Sequence, residues 1–261
     1  MSYRFLKGHG TENDFVVLPD ADGMVHGDLS AERVRALCDR RAGIGGDGVL
    51  RAVRQDDGWF MDYRNADGSV SEMCGNGVRV FARYLHEHEG EPFPIVVQTR
   101  GGTKVVTPAD SGYTVDMGSP AVLGETEVGV DGRSWPARHV SMGNPHAVAF
   151  VDDLADAGSL LAAPDHDPAV YPEGVNVEFV VRRGERHVAM RVHERGSGET
   201  RSCGTGACAV MVATALADGA PRGTSYVVDV PGGSLEITWT HDDRVLMTGP
   251  AELVAEGETD L

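Results

Sequence analysis

Apolar and polar positions alternate along most of this chain in short runs bounded by glycine, proline or aspartate: "GWFMDYR", "PIVVQT", "GYTVDMG", "VNVEFVV", "HVAMRVHE", "SYVVDV" and "SLEITW". Period-two patterning rich in β-branched residues predicts strands. Three stretches follow a helical period instead. Ser30 stands as an N-cap before "AERVRALCD", whose Val34, Leu37 and Cys38 would face a core. After Cys74, residues Val78, Phe81, Ala82 and Leu85 recur three and four apart, with Arg79, Arg83 and the His86–His88 run on the polar side. After Cys203, "GACAVMVATALA" is apolar nearly all round, as a helix enclosed by sheet must be.

The two cysteines that open these last helices share a context. "EMCGNGVRVFARYL" and "RSCGTGACAVMVAT" each write Cys-Gly-x-Gly before an apolar stretch, and an offset of 129 positions superposes Cys74 on Cys203 and Asn65 on Glu194. The polar runs between, "NADGSVSEMCGNG" and "ERGSGETRSCGTG", match in character, as do "GTENDFVVL" and "GNPHAVAFV". A period this long excludes a solenoid and predicts two similar domains that meet near "DMGSPAVLGE", residues 1–118 and 119–249. The cysteines are expected near the pseudo-twofold between them.

Composition narrows the chemistry. With 261 residues, 41% hydrophobic and 6% aromatic content and 34 glycines, the chain suits a globular protein rich in tight turns. A formal charge of −17 argues against nucleic acid or an anionic membrane as partner. "MSYRFLKGHG" lacks a basic segment followed by an apolar one, and Ala207–Ala217 is too short to span a bilayer, so a cytoplasmic location is expected. Among reduced thiols, Cys38, Cys74, Cys203 and Cys208 are not expected to form a disulfide framework. Zinc would call for paired ligands, and only Cys203 and Cys208 are close in sequence, so no metal is expected.

That leaves thiol chemistry. A cysteine at a helix N-terminus meets unpaired N–H groups and the positive end of the dipole, which favour a thiolate. The glycines that follow let the backbone approach a carboxylate. Two such mouths fit a carbon held between two sulfurs, one removing a proton as thiolate and the other, still a thiol, returning one from the opposite face. N–H donors on the carboxylate would stabilise the developing carbanion. The usual cofactor for such a proton, pyridoxal phosphate, needs a lysine; only Lys7 and Lys104 exist, neither in a suitable motif, so no cofactor is expected. A lone cysteine would more often be a small buried hydrophobe, which is the reading given to Cys38 and Cys208. "GIGGDG" formally fits a dinucleotide fingerprint, but a helical stretch precedes it and "VLRAV" follows, so it is read as a turn feeding a strand.

Along nearly its whole length the sequence resembles the diaminopimelate epimerase family, through "GTENDF", "GIGGDG", "RNADGSVSEMCGNGVR", "SMGNPHAV", "GVNVEF", "ERGSGETRSCGTGACA", "PGGSLEI" and "MTGPAELV", in that order. The resemblance implies an α+β fold of two pseudo-symmetric domains, each a β-sheet wrapped around a central helix, with 250–261 completing the first half and the active site in the cleft between them. It implies cofactor-independent conversion of LL- to meso-diaminopimelate, for lysine and peptidoglycan synthesis, by a homodimer. Cys74 and Cys203 would transfer the protons, with His146 and Glu194 assisting. Gly75, Asn76, Gly204 and Thr205 would hold the reacting carboxylate. Asn13, Asn65, Asn144, Asn176, Glu194 and Arg195 would meet the remote end, whose ammonium and carboxylate need an anion, a cation and amides together. Three departures stand out: Glu12 directly before Asn13, Gly48 where some relatives carry a larger polar residue, and the acidic "AEGETDL" tail. The rivals are a proline or hydroxyproline racemase, a noncatalytic or phenazine-type relative, and a thiol redox sensor.

Overall fold

A computed structural model describes residues 2–261. The chain divides into two compact units, Met1–Val115 with Gly249–Leu261, and Asp116–Thr248. The first contains β1 (Tyr3–Gly10), β2 (Asn13–Pro19), α1 (Ala31–Cys38), β3 (Gly48–Gln55), β4 (Gly58–Asn65), α2 (Gly75–Glu89), β5 (Ile95–Gln98), β6 (Lys104–Ala109) and β7 (Gly112–Asp116). The second contains β8 (Ala121–Val130), β9 (Arg133–Ser141), β10 (Pro145–Phe150), β11 (Asp165–His166), β12 (Asn176–Gly184), β13 (His187–Glu194), β14 (Gly198–Thr200), α3 (Gly204–Ala217), β15 (Ser225–Val230), β16 (Gly233–Trp239) and β17 (Val245–Gly249). The last strand, β18 (Glu252–Thr259), pairs with β1 in the first unit.

Both units repeat one topology. In the first, β18, β1, β2, β3, β4, β5, β6 and β7 are neighbours in that order, with only β2–β3 and β4–β5 parallel. In the second, β8, β9, β10, β12, β13, β15, β16 and β17 follow the same order, with only β10–β12 and β13–β15 parallel. The strand runs read from period-two patterning all form, and each sheet packs around its own helix, α2 or α3.

Parallel neighbours buried on both faces explain the dense apolar runs of β2, β3, β10 and β12. One face of β2 and β3 gives Val16, Leu18 and Val49 to a cluster with Val34, Leu37 and Cys38 of α1. Ser30 caps α1 by accepting from Arg33 N at 3.2 Å, a contact worth about 1 kcal/mol. In the second unit Ala147, Ala149, Val177 and Phe179 fill the corresponding outer cluster. Alternation then sends His146, Asn176 and Glu178 to the opposite face, toward α3. Arg79 differs from its expected place on the polar side of α2. It is fully buried, donating to Asn76 Oδ1 at 2.9 Å and to the Pro250 carbonyl at 3.2 Å, so carbonyl acceptors rather than water solvate it. Among the described residues, no helix is long and apolar enough to cross a membrane.

Candidate active site

Each Cys-Gly-x-Gly opens a helix, and each cysteine is the N-cap. Cys74 and Cys203 have extended backbones and turn their sulfurs back to accept from Gly77 N at 3.5 Å and Gly206 N at 3.4 Å. Gly75 and Gly204 are the first helical residues, where backbone N–H groups lack intrahelical partners.

In the first unit, Thr11 and Glu12 both take positive φ, 49° and 61°, in a two-residue turn between Gly10 and Asn13. This tight hairpin starts β2 at Asn13, whose Oδ1 accepts from Cys74 Sγ at 3.5 Å and from Asn76 Nδ2 at 3.3 Å. The amide is oriented from behind: Asn13 Nδ2 donates to Asp47 Oδ2 at 2.8 Å, and Arg40 bridges Asp47 and Asp14 at 2.7 Å each. "GIGGDG" is therefore a turn into β3 whose aspartate fixes a residue beside the thiol. Gly48, which follows, has no room for a side chain, since a Cβ would lie 2.5 Å from the Arg64 carbonyl. Asn65 turns its amide to Ser69 Oγ, 3.0 Å away, within its own loop.

In the second unit a continuous chain leads to Cys203. Glu178 Oε1 lies 2.7 Å from His146 Nδ1, and His146 Nε2 lies 3.1 Å from Asn144 Oδ1. Asn144 Nδ2 donates to Thr205 Oγ1 at 3.3 Å, and that hydroxyl is 3.6 Å from Cys203 Sγ. Asn176 acts on backbone: Nδ2 donates to the Pro145 carbonyl at 3.1 Å, and Oδ1 accepts from Arg195 N at 2.9 Å. Glu194 accepts from the Thr200 hydroxyl. The exposed Arg195 guanidinium donates to the Glu173 carbonyl at 3.1 Å.

The expectation that a helix mouth favours a thiolate does not hold for Cys203. Burial, then Glu194 and then Glu178, push its thiol well above the ordinary range, outweighing the Thr205 and Gly206 donors. Burial likewise raises the Glu178 carboxyl against the opposing pull of His146. Cys38 and Cys208 pack in the interior, and burial pushes the Cys38 thiol up to about 11.

Three residues of these networks escaped the sequence reading. Glu178 lies inside "VNVEFVV", two positions beyond Asn176 and on the same face, so a charge on the helix side of a buried strand was the available signal. Asp47 lay within a motif read only as a turn. Arg79 was masked by the amphipathic spacing of α2. Among the described residues, no group of three or more His, Cys, Asp or Glu side chains could hold a metal ion.

Comparison with known proteins adds a family context. The family model described as diaminopimelate epimerase matches residues 5–123 and 138–254. The diaminopimelate epimerase of Streptomyces coelicolor is 61% identical over 98% of this chain and 95% of its own length. In solved structures, a phenazine biosynthesis protein of the PhzF family from Bacillus anthracis aligns over 100% of both chains with a TM-score of 0.74 and 15% identity. A hydroxyproline epimerase from Agrobacterium vitis aligns over 99% of this chain and 92% of its own, with a TM-score of 0.67 and 15% identity. At that identity the structural likenesses speak to fold alone.

Proposed function

The chain belongs to the diaminopimelate epimerase family, and from that premise we propose that it interconverts LL- and meso-diaminopimelate without a cofactor, using Cys74 and Cys203 as its two proton carriers. The observation that carries this reading is the pair of cysteine N-caps, one on each repeated helix, each in Cys-Gly-x-Gly and each with a polar side chain at its sulfur. Inversion at carbon needs one base and one acid. A thiolate withdraws the α-proton, and a thiol delivers one to the carbanion from the other face, so the protein ends with its two sulfurs in exchanged states.

The first-turn N–H groups at Gly75, Asn76, Gly204 and Thr205 bind the reacting carboxylate, where charge grows as the proton leaves. Asn13, Asn65, Asn144, Asn176, Glu194 and Arg195 serve the remote amino-acid end; the amides of Asn13 and Asn144 also stand at the two helix mouths. His146 and Glu194 assist the Cys203 proton. The product serves lysine and cell-wall synthesis, and the enzyme works as a homodimer in the cytoplasm, where its thiols stay reduced.

The test is incubation of reduced protein with LL-diaminopimelate in heavy water, with chelator and without pyridoxal phosphate. Meso product bearing α-deuterium is expected. A folded, reduced sample that leaves diaminopimelate untouched but racemises proline or hydroxyproline would transfer the assignment to the racemases.

A further inference from the structure

Superposing the two topologies shows what is unusual about Glu178. The first parallel pair of the first unit is Phe15 opposite Gly48; that of the second is His146 opposite Asn176. Two residues onward on the same strand faces, Leu50 in the first unit matches Glu178 in the second. Close approach to the helices agrees. A Cβ on Gly77 would meet Leu50 at 3.2 Å and Phe15 at 3.5 Å, whereas one on Gly206 would meet Glu178 Oε1 at 2.7 Å. An apolar Phe–Leu pair under one thiol's helix is thus a His–Glu pair under the other's, with all four side chains buried.

Burying a carboxylate and an imidazole in place of such a pair is unfavourable unless the bonds they make are used. Glu178 Oε2 has no hydrogen-bond partner, so Oε1 and His146 hold the carboxyl's polar contact. Asn144 fixes the direction of the chain. Its Nδ2 faces Thr205, so its Oδ1 must accept, and His146 Nε2 must carry a hydrogen. A proton then also lies between His146 Nδ1 and Glu178, on either atom. The Thr205 oxygen accepts from Asn144, which leaves its own hydrogen to point at Cys203 Sγ.

We propose that Glu178 is a positioning residue: by holding one proton against His146 Nδ1 it keeps the hydrogen on Nε2 and so aligns three donors in one direction, from His146 through Asn144 and Thr205, ending on the Cys203 sulfur. The terminal hydroxyl stabilises the thiolate each time Cys203 gives up its proton. The shared proton also offsets part of the Glu178 charge, so that carboxyl opposes the thiolate less than Glu194 does. The other titratable neighbours of the pair are Tyr171 and His139. An ionised Glu178 facing a neutral imidazole would reverse the chain, flip Asn144 and withdraw the hydroxyl from sulfur. The inference rests on Cys203 being a proton carrier.

The experiment combines nitrogen-15 NMR of histidine-labelled protein with kinetics on LL-diaminopimelate, the His146 signals being assigned by their loss in His146→Phe. His146 should carry a proton on Nε2. A single proton on Nδ1 with Nε2 bare overturns the proposal without reference to any substrate. Glu178→Gln, whose amide can donate to Nδ1, should keep the Nε2 proton and a kcat within about threefold of the parent. Glu178→Leu, which copies the first unit's side chain, should keep or raise Tm yet lower kcat on the order of 10- to 100-fold with KM nearly unchanged. Unchanged kcat in Glu178→Leu also defeats it. If the Nε2 proton is found but the parent does not turn over diaminopimelate, the network stands and the substrate assignment falls.

Discussion

The two helix mouths place a thiol at equivalent positions of one repeated topology and then surround it differently. Cys74 is half-buried and donates to the Asn13 amide, with Asn76 beside it and the buried Arg79 guanidinium bound to Asn76. Cys203 is buried and faces Thr205, with Glu178 and Glu194 close enough to oppose its ionisation. Topology therefore fixes where a sulfur sits, and the side chains of neighbouring strands fix how readily it parts with its proton. The proposed reaction needs one acid and one base, and unequal mouths on equal scaffolds suit that requirement.

Removing either sulfur is the strongest way to break the comparison. Cys74→Ala and Cys203→Ala should each lower net epimerisation by on the order of a thousandfold or more, since in the proposed scheme each variant deprives one face of the carbon of its proton carrier. Both should retain native circular dichroism, because a lost N-cap costs about 1 kcal/mol. Near-normal turnover by either variant refutes the two-thiol scheme.

The second glycine of each motif is a finer instrument. Gly206→Ala would place a methyl 2.7 Å from Glu178 Oε1 and 3.3 Å from Cys203 Sγ, whereas Gly77→Ala would press chiefly on the movable end of Leu50. The expectation is a kcat loss of about tenfold or more for Gly206→Ala and a smaller loss for Gly77→Ala. Equal losses would mean that the Glu178–His146 pair has no special place.

Asp47→Ala tests the first mouth alone. Without the carboxylate that holds Nδ2, the Asn13 amide is free to turn its NH2 toward Cys74, exchanging an acceptor for a donor at the sulfur. A change in kcat/KM of about three- to tenfold, accompanied by a shift in its pH profile, is expected. A uniform loss with the profile in place would reduce Asp47 to a support of the loop.

Much of this was legible in the chain before the fold was known. Strong alternation marked the buried strands, and the repeated Cys-Gly-x-Gly marked both helix starts, because burial and capping leave local signatures. Exposed β8 and β9 leave a weaker signature: Gly124 and Pro136 interrupt their alternation, although Asp131 and Gly132 between them take φ of 52° and 78° as a tight hairpin requires. At the site, the sulfurs were readable and their electrostatics were not. The helix N-terminus predicts a depressed thiol, but for Cys203 burial, followed by Glu194 on β13 and Glu178 on β12, outweighs it, and only tertiary packing brings these together. Sequence spacing also could not show that Asn65 would close its own turn while Asn13 met the sulfur.

The smallest expected effect follows from the same imbalance. A thiol whose folded pKa is raised favours the folded state fully below the unfolded thiol's value, near 8.5, and loses that contribution as pH climbs toward the folded value. Under reducing conditions the parent's Tm should therefore fall more steeply above pH about 8.5 than that of Cys203→Ala, with the difference between them constant from pH 6 to about 8. Cys38→Ala should show a similar, weaker divergence, ending near the value of about 11 that burial gives Cys38. Parallel curves for the parent and Cys203→Ala through pH 10 would show that the sulfur ionises as easily in the fold as outside it, and the contrast between the two mouths would then have to rest on shape rather than on charge.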